Sequence, residues 1–99
     1  MNDIWAHIED AAEKLNADQA WLFGSYSRGN ATESSDVDVL FIVESDLPRP
    51  RRTANAYRVM RSWSVAKDIV VYTPEEFLRW RHVKGALCNN VLTEGVRVV

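Results

Sequence analysis

A single cysteine, Cys88, leaves the chain no internal disulfide, which suits a reducing compartment. No stretch approaches the roughly 20 apolar residues of a membrane helix, and no charged leader followed by an apolar block opens the sequence. A soluble, cytoplasmic protein with no membrane association is the expectation. There is also no basic excess. Twelve Lys and Arg against fourteen Asp and Glu leave a net charge of −2 and a pI near 5.6, which removes the usual electrostatic ground for nucleic-acid binding. No repeat, low-complexity tract or second domain is visible, so residues 1–99 are expected to form one domain.

What the chain does have is enough apolar material for one core, with 46% hydrophobic residues and four Trp. Its charge is unevenly spread. Asp and Glu dominate the first 46 residues, whereas Arg49, Arg51, Arg52, Arg58 and Arg61 fall in a stretch with no acid.

Ile4, Trp5, Ile8, Ala11, Ala12 and Leu15 recur at helical spacing, which predicts an amphipathic helix over residues 3–16. Ala20-Trp21-Leu22-Phe23 is too short for a helix and is closed by Gly24, so it reads as a buried strand that delivers Gly24-Ser25 at its end. Residues 36–43 and 68–72 read as two more strands. Pro48 and Pro50 break the chain between them, and Ala56, Val59, Met60 and Trp63 mark the inner face of a helix over about 51–64. Thr73-Pro74-Glu75-Glu76 has the form of a capping box and starts a helix toward His82. A further helix over 86–94 and a short edge strand over 96–99 complete the reading.

The entrance to the second strand is odd, because Asp36 and Asp38 stand where burial should begin. Side chains alternate along a strand, so the two carboxylates share one face with α-carbons about 6.5–7 Å apart. Asp68 opens the third strand and can face the same way. Three carboxylates together repel by several kcal/mol unless protonated or neutralised. A divalent cation neutralises them, and hard oxygen ligands select Mg²⁺ or Mn²⁺. Paired ions of this kind serve in-line phosphoryl and nucleotidyl transfer.

The whole pattern is a strand ending in Gly24-Ser25, ten residues (26–35), an Asp-x-Asp pair and a third Asp on another strand. It resembles the minimal nucleotidyltransferases of the DNA polymerase β superfamily, and Arg28-Gly29 completes the GSxxRG form common among them. The likeness spans about residues 4–82. It implies an α/β (α+β) fold with a small mixed central sheet flanked by helices, and a nucleoside triphosphate, ATP, as donor. On that resemblance Gly24 lets the backbone approach the triphosphate, Ser25 holds its phosphate oxygens at a helix start, and Arg28 neutralises its charge. Asp36 and Asp38 would bridge two metal ions. Asp68 would hold the second ion and accept the proton of the acceptor hydroxyl.

Members of this group often act as antitoxins that modify and bind a helical HEPN protein. The same is expected here: AMP transfer to a hydroxyl of a HEPN-type partner. Two alternatives stand beside it, a non-catalytic nucleotide-binding module that neutralises its partner by occlusion, and a small-molecule transferase subunit of the aminoglycoside type. The acceptor and the oligomeric state are left open. Arg49, Arg51 and Arg52 read as a solvated loop, with contacts to phosphates or an acidic partner as the alternative. His7 and His82 read as surface or packing residues, Cys88 as a core residue, and the Trp residues and Tyr57 as core more than as an adenine platform.

Overall fold

Apolar residues at helical spacing make the first element of the computed structural model, α1 (Asn2–Leu15), which buries Ile8, Ala11 and Ala12. The structure describes residues 2–29, 31–32 and 35–99, without the side chains of Asn2, Asp3 and Arg28. Asn16 stops α1 in the left-handed region, at φ 54°. Its N–H bonds the Glu13 carbonyl at 3.1 Å and the next N–H, of Ala17, bonds the Ala12 carbonyl at 2.9 Å, which is a Schellman closure with Asn in the place glycine usually takes.

The turn feeds β1 (Gln19–Phe23), followed by a single helical turn, α2 (Ser25–Arg28), and by β2 (Val37–Ile42), antiparallel to β1. From β2 the chain crosses over through α3 (Arg49–Val59) and returns as β3 (Lys67–Tyr72), parallel to β2. After α4 (Pro74–Trp80) and α5 (Leu87–Glu94), β4 (Val96–Arg97) pairs antiparallel with β1. The strand order is β3-β2-β1-β4, the mixed sheet of the expected α+β fold. No helix among the described residues is long and apolar enough to cross a membrane.

Both faces of the sheet are apolar, but they are covered differently. Val37, Val39 and Phe41 of β2 join Ala20, Leu22, Ile69 and Val71 against α1 and α3 along the whole length of the strand. On the other face Leu40 and Ile42 join Phe77, Cys88 and Val91 of α4 and α5, with Trp21, Phe23, Val70 and Tyr72 at the margin. That second layer stops one step short of Asp38. The alternation also fixes the register: a one-residue slip of β2 would turn Asp38 into the α1/α3 core, and a buried carboxylate costs on the order of several kcal/mol.

One helix shifts at both ends. The helix predicted over 51–64 begins at Arg49 and ends at Val59, because only Pro48 lies outside it while Pro50 occupies the first turn, where a missing N–H is harmless. Residues 60–62 form a turn that still seats Met60 and Trp63 in the core. The capping box at Thr73 is present as read: Glu76 N–H donates to Thr73 Oγ1 at 3.2 Å, and Thr73 N–H donates to Glu76 Oε1 at 2.9 Å.

Candidate active site

Three strand ends meet at one edge of the less covered face. Phe23, the last residue of β1, pairs with Asp38 of β2, and Asp38 pairs with Asp68 of β3 across the parallel ladder. Neighbouring strands lie about 4.8 Å apart, so paired residues rise side by side on the same face. Asp38 is half-buried, and Asp68 is exposed. Asp36 precedes the strand by one residue and is also exposed. The structure thus brings Asp38 and Asp68 into lateral register, with Asp36 two residues away along the chain.

Gly24 follows Phe23 directly and turns the backbone over Asp38. Its φ of 75° with ψ −150° is open to glycine and rare for any other residue. A β-carbon built there would run into Asp38 Oδ2, and would stand 3.1 Å from its Cγ. Glycine is therefore required twice at this position, by dihedral and by space. Ser25, half-buried, opens α2, and Ser27 Oγ donates to the Gly24 carbonyl at 2.9 Å, which holds the turn in place. The helical turn ends at Gly29 in the left-handed region, with φ 76°. Arg28 closes α2 with its backbone; its side chain, and residues Asn30, Glu33 and Ser34, lie outside what the structure describes.

These groups suit a hard divalent cation. The donors are carboxylate oxygens, and the space against Asp38 is kept clear by the one residue that lacks a β-carbon. Among the described residues no three His, Cys, Asp or Glu side chains close in tightly enough to hold an ion unaided. Mg²⁺ asks for no such cage, since it is commonly held by one or two carboxylates and completes its shell with water and substrate phosphates.

At the other end of the same strands the arginines take roles unlike those expected. Arg52, 7% exposed, donates from Nη1 to Glu76 Oε1 at 2.7 Å and from Nη2 to Glu76 Oε2 at 3.1 Å. It also reaches the carbonyls of Val71 at 3.2 Å and Leu47 at 3.0 Å. One guanidinium thus ties α3, the end of β3 and the start of α4 together. Its hydrogen bonds hold the Glu76 carboxyl at about 2, well below the usual 4.5, against the opposing pull of burial. Arg49 stacks over the Tyr72 ring at 4.6 Å and lies 3.7 Å from Glu76. Arg52 is therefore no solvated loop residue and no partner contact.

Two cavities, of about 270 and 250 Å³, also belong to this far end, the first lined by Arg49, Tyr72 and Cys88 and the second by Val43, Arg52 and Arg58. Neither is lined by Gly24, Ser25 or the three aspartates. Cys88 is buried as expected, and burial pushes its thiol up. His7 stacks on Trp63 with ring centroids 4.7 Å apart, a packing role. The aromatic expectation holds for Trp63 but not for Trp5, Trp80 or Tyr57, which are exposed. The hydroxyl of Tyr57 bonds the backbone beside Asp68, a role that no spacing in the sequence announces.

Residues 6–95 match the model of the nucleotidyltransferase domain. The chain belongs to the nucleotidyltransferase domain family. A Methanocaldococcus jannaschii protein named "Putative protein adenylyltransferase MJ0141" is 31% identical over 85 residues, which cover 86% of this chain and 82% of that protein. Among solved structures, a toxin–antitoxin crystal structure with AMP-PNP superposes with a TM-score of 0.70 at 23% identity, covering 96% of this nucleotidyltransferase and 72% of the other chain. A mutant of the toxin–antitoxin MntA–HpeT, in which two aspartates two positions apart are replaced by glutamate, superposes with a TM-score of 0.62 at 23% identity, covering 99% and 71%. At that identity the two structures establish the shared fold.

Proposed function

We propose that this nucleotidyltransferase, acting as a single domain over residues 1–99, moves AMP from ATP to a hydroxyl of a partner protein. We further propose that it is the antitoxin of a pair whose other member is a HEPN-type helical protein. The observation that carries the reading is the lateral pairing of Asp38 with Asp68 beside the Gly24 turn, one step along the strand from the cluster that α4 and α5 bury. The curated relative bears the name of a protein adenylyltransferase, and the two structural neighbours are toxin–antitoxin proteins, one of them with an ATP analogue. The aspartates replaced in the second neighbour have the spacing of Asp36 and Asp38.

In this account the Gly24-Ser25 turn receives the β and γ phosphates, because glycine permits close approach and the first N–H groups after it have no helical partner. Arg28 offsets triphosphate charge from the end of the same turn. Asp36, Asp38 and Asp68 would hold Mg²⁺ or Mn²⁺, which when bound neutralises phosphate charge and lowers the pKa of the acceptor hydroxyl. Asp68 takes that proton as general base. The acceptor oxygen forms a bond to the α-phosphorus, the bond from the α-phosphorus to the bridging oxygen breaks, and pyrophosphate leaves. An acceptor with its own surface suits a shelf of this kind, because a small alcohol would need enclosing walls.

The test is to incubate the purified chain with ATP, Mg²⁺ and the protein encoded beside it, and to weigh that protein. A gain of one AMP or more, lost with Asp36→Asn, is the expected result. A neighbour that never gains AMP while a small alcohol or an aminoglycoside is labelled would contradict the protein acceptor.

A further inference from the structure

β3 is an edge strand, bonded to β2 on one side only, and it carries Asp68 as its second residue. Edge strands present unpaired N–H and C=O groups, and strand ends are the first places to open. Here the outer side is occupied. Tyr57, in the last turn of α3, accepts a hydrogen bond from the Ile69 N–H at 3.0 Å, and its hydroxyl donates to the Lys67 carbonyl at 3.5 Å. One oxygen atom therefore bridges the two residues that flank Asp68. The Lys67 ammonium adds a second tie from the same place, donating to the carbonyls of Trp63 at 2.6 Å and Val65 at 3.1 Å. The backbone is fixed on both sides of Asp68 while its carboxylate stays exposed.

Tyr57 is itself 39% exposed, so the apolar core gains little from its ring. The hydroxyl is the part of the side chain with a specific partner. A proton acceptor has to be held within roughly 0.5 Å of its working position, and a misplacement of about 1 Å costs on the order of a hundredfold in rate. We infer that Tyr57 is a positioning residue: its hydroxyl sets the backbone at Lys67 and Ile69 and thereby aims the Asp68 carboxylate at the acceptor. The inference rests on the reading of Asp68 as the proton acceptor.

Tyr57→Phe keeps the ring and deletes the hydroxyl, which makes it the variant to test in the full chain. Amide exchange at Ile69 should speed up several-fold, and the transfer rate at saturating ATP should fall by about tenfold. AMP-PNP affinity in Mg²⁺ should stay within about twofold, because the phosphate-binding turn belongs to β1 and α2 and not to β3. An unchanged transfer rate would overturn the inference. So would a parallel loss of rate, AMP-PNP affinity and thermal midpoint, which would make Tyr57 a purely structural residue. Asp68→Asn, measured alongside, separates the two levels. Full activity in that variant removes the role of Asp68 and the inference with it, whereas an inactive Asp68→Asn beside an unaffected Tyr57→Phe removes only the inference.

Discussion

The two ends of β2 and β3 place acidic side chains in different settings. At the C-terminal end Glu76 is met by the chain's own Arg52, forked onto both carboxylate oxygens and shielded by α3 and α4. At the N-terminal end Asp38 and Asp68 stand in register on neighbouring strands, and the helical layer that covers Leu40 and Ile42 does not extend over them. Four steps of strand, from Asp38 to Ile42 and from Asp68 to Tyr72, or roughly 13 Å, separate the two situations. The closed end shows what this fold does with a charge that serves stability: it surrounds the carboxylate with donors and fixes it. At the open end Asp68 stays exposed at the start of its strand, beside a half-buried Asp38.

Substitutions at the two ends should separate accordingly. The largest effect is expected from Asp38→Asn, which should lower transfer by about a thousandfold while the chain stays folded, as followed by AMP incorporation and circular dichroism. Next comes Arg52→Ala, which leaves Glu76 and the Val71 and Leu47 carbonyls without their donor. Removing the buried partner of this part-buried pair costs about 3 kcal/mol, a fall in melting temperature on the order of 12–20 °C, with transfer preserved at temperatures where the variant remains folded. An Arg52→Ala chain that melts normally but cannot transfer would invert the assignment of the two ends.

Gly24→Ala should fall between them. It places a β-carbon against Asp38 and asks alanine for a φ of 75°, so transfer should drop by roughly a hundredfold and stability by about 1–2 kcal/mol. Acid should weaken the closed end. Glu76 titrates at about 2 in the folded chain against an ordinary 4.5, so its contribution is complete above about pH 5 and fades as the pH falls toward 2. Glu76→Gln should therefore be less stable than the parent at pH 7 and should lose about 2 kcal/mol less between pH 5 and pH 2, in denaturant melts across that range. The smallest effect is expected from Arg51→Glu, an exposed change on α3 at the closed end, which should shift stability by no more than about 0.5 kcal/mol and leave AMP-PNP binding unchanged.

The open end was more legible in the sequence than the closed one, for a physical reason. Gly24-Ser25, Asp36-x-Asp38 and Asp68 all sit at strand ends, and short apolar runs bounded by turn residues make strand ends visible. Alternation then predicts Asp36 and Asp38 on one side with no tertiary knowledge, although β2 begins only at Val37, just after Asp36. What one dimension does not carry is the lateral pairing: Asp38 and Asp68 are thirty residues apart, and their register follows from how Val39 and Ile69 pack beneath α1 and α3. Arg52 illustrates the harder case. Its partner lies 24 residues ahead, in a capping box whose Glu is already accounted for by the helix start, so an arginine-rich stretch looks solvated until the crossover brings the two together. Tyr57 is harder still, since its partners are backbone groups, which every residue has.

That the open end is a nucleotide site assembled around a metal ion is tested most directly by calorimetric titration of AMP-PNP into the purified chain, with Mg²⁺, with EDTA, and with Asp38→Asn in Mg²⁺. The account predicts saturable binding in Mg²⁺ that falls by at least about tenfold in EDTA and in the variant. Equal affinity in all three titrations would contradict it, leaving Asp38 with no part in holding the nucleotide.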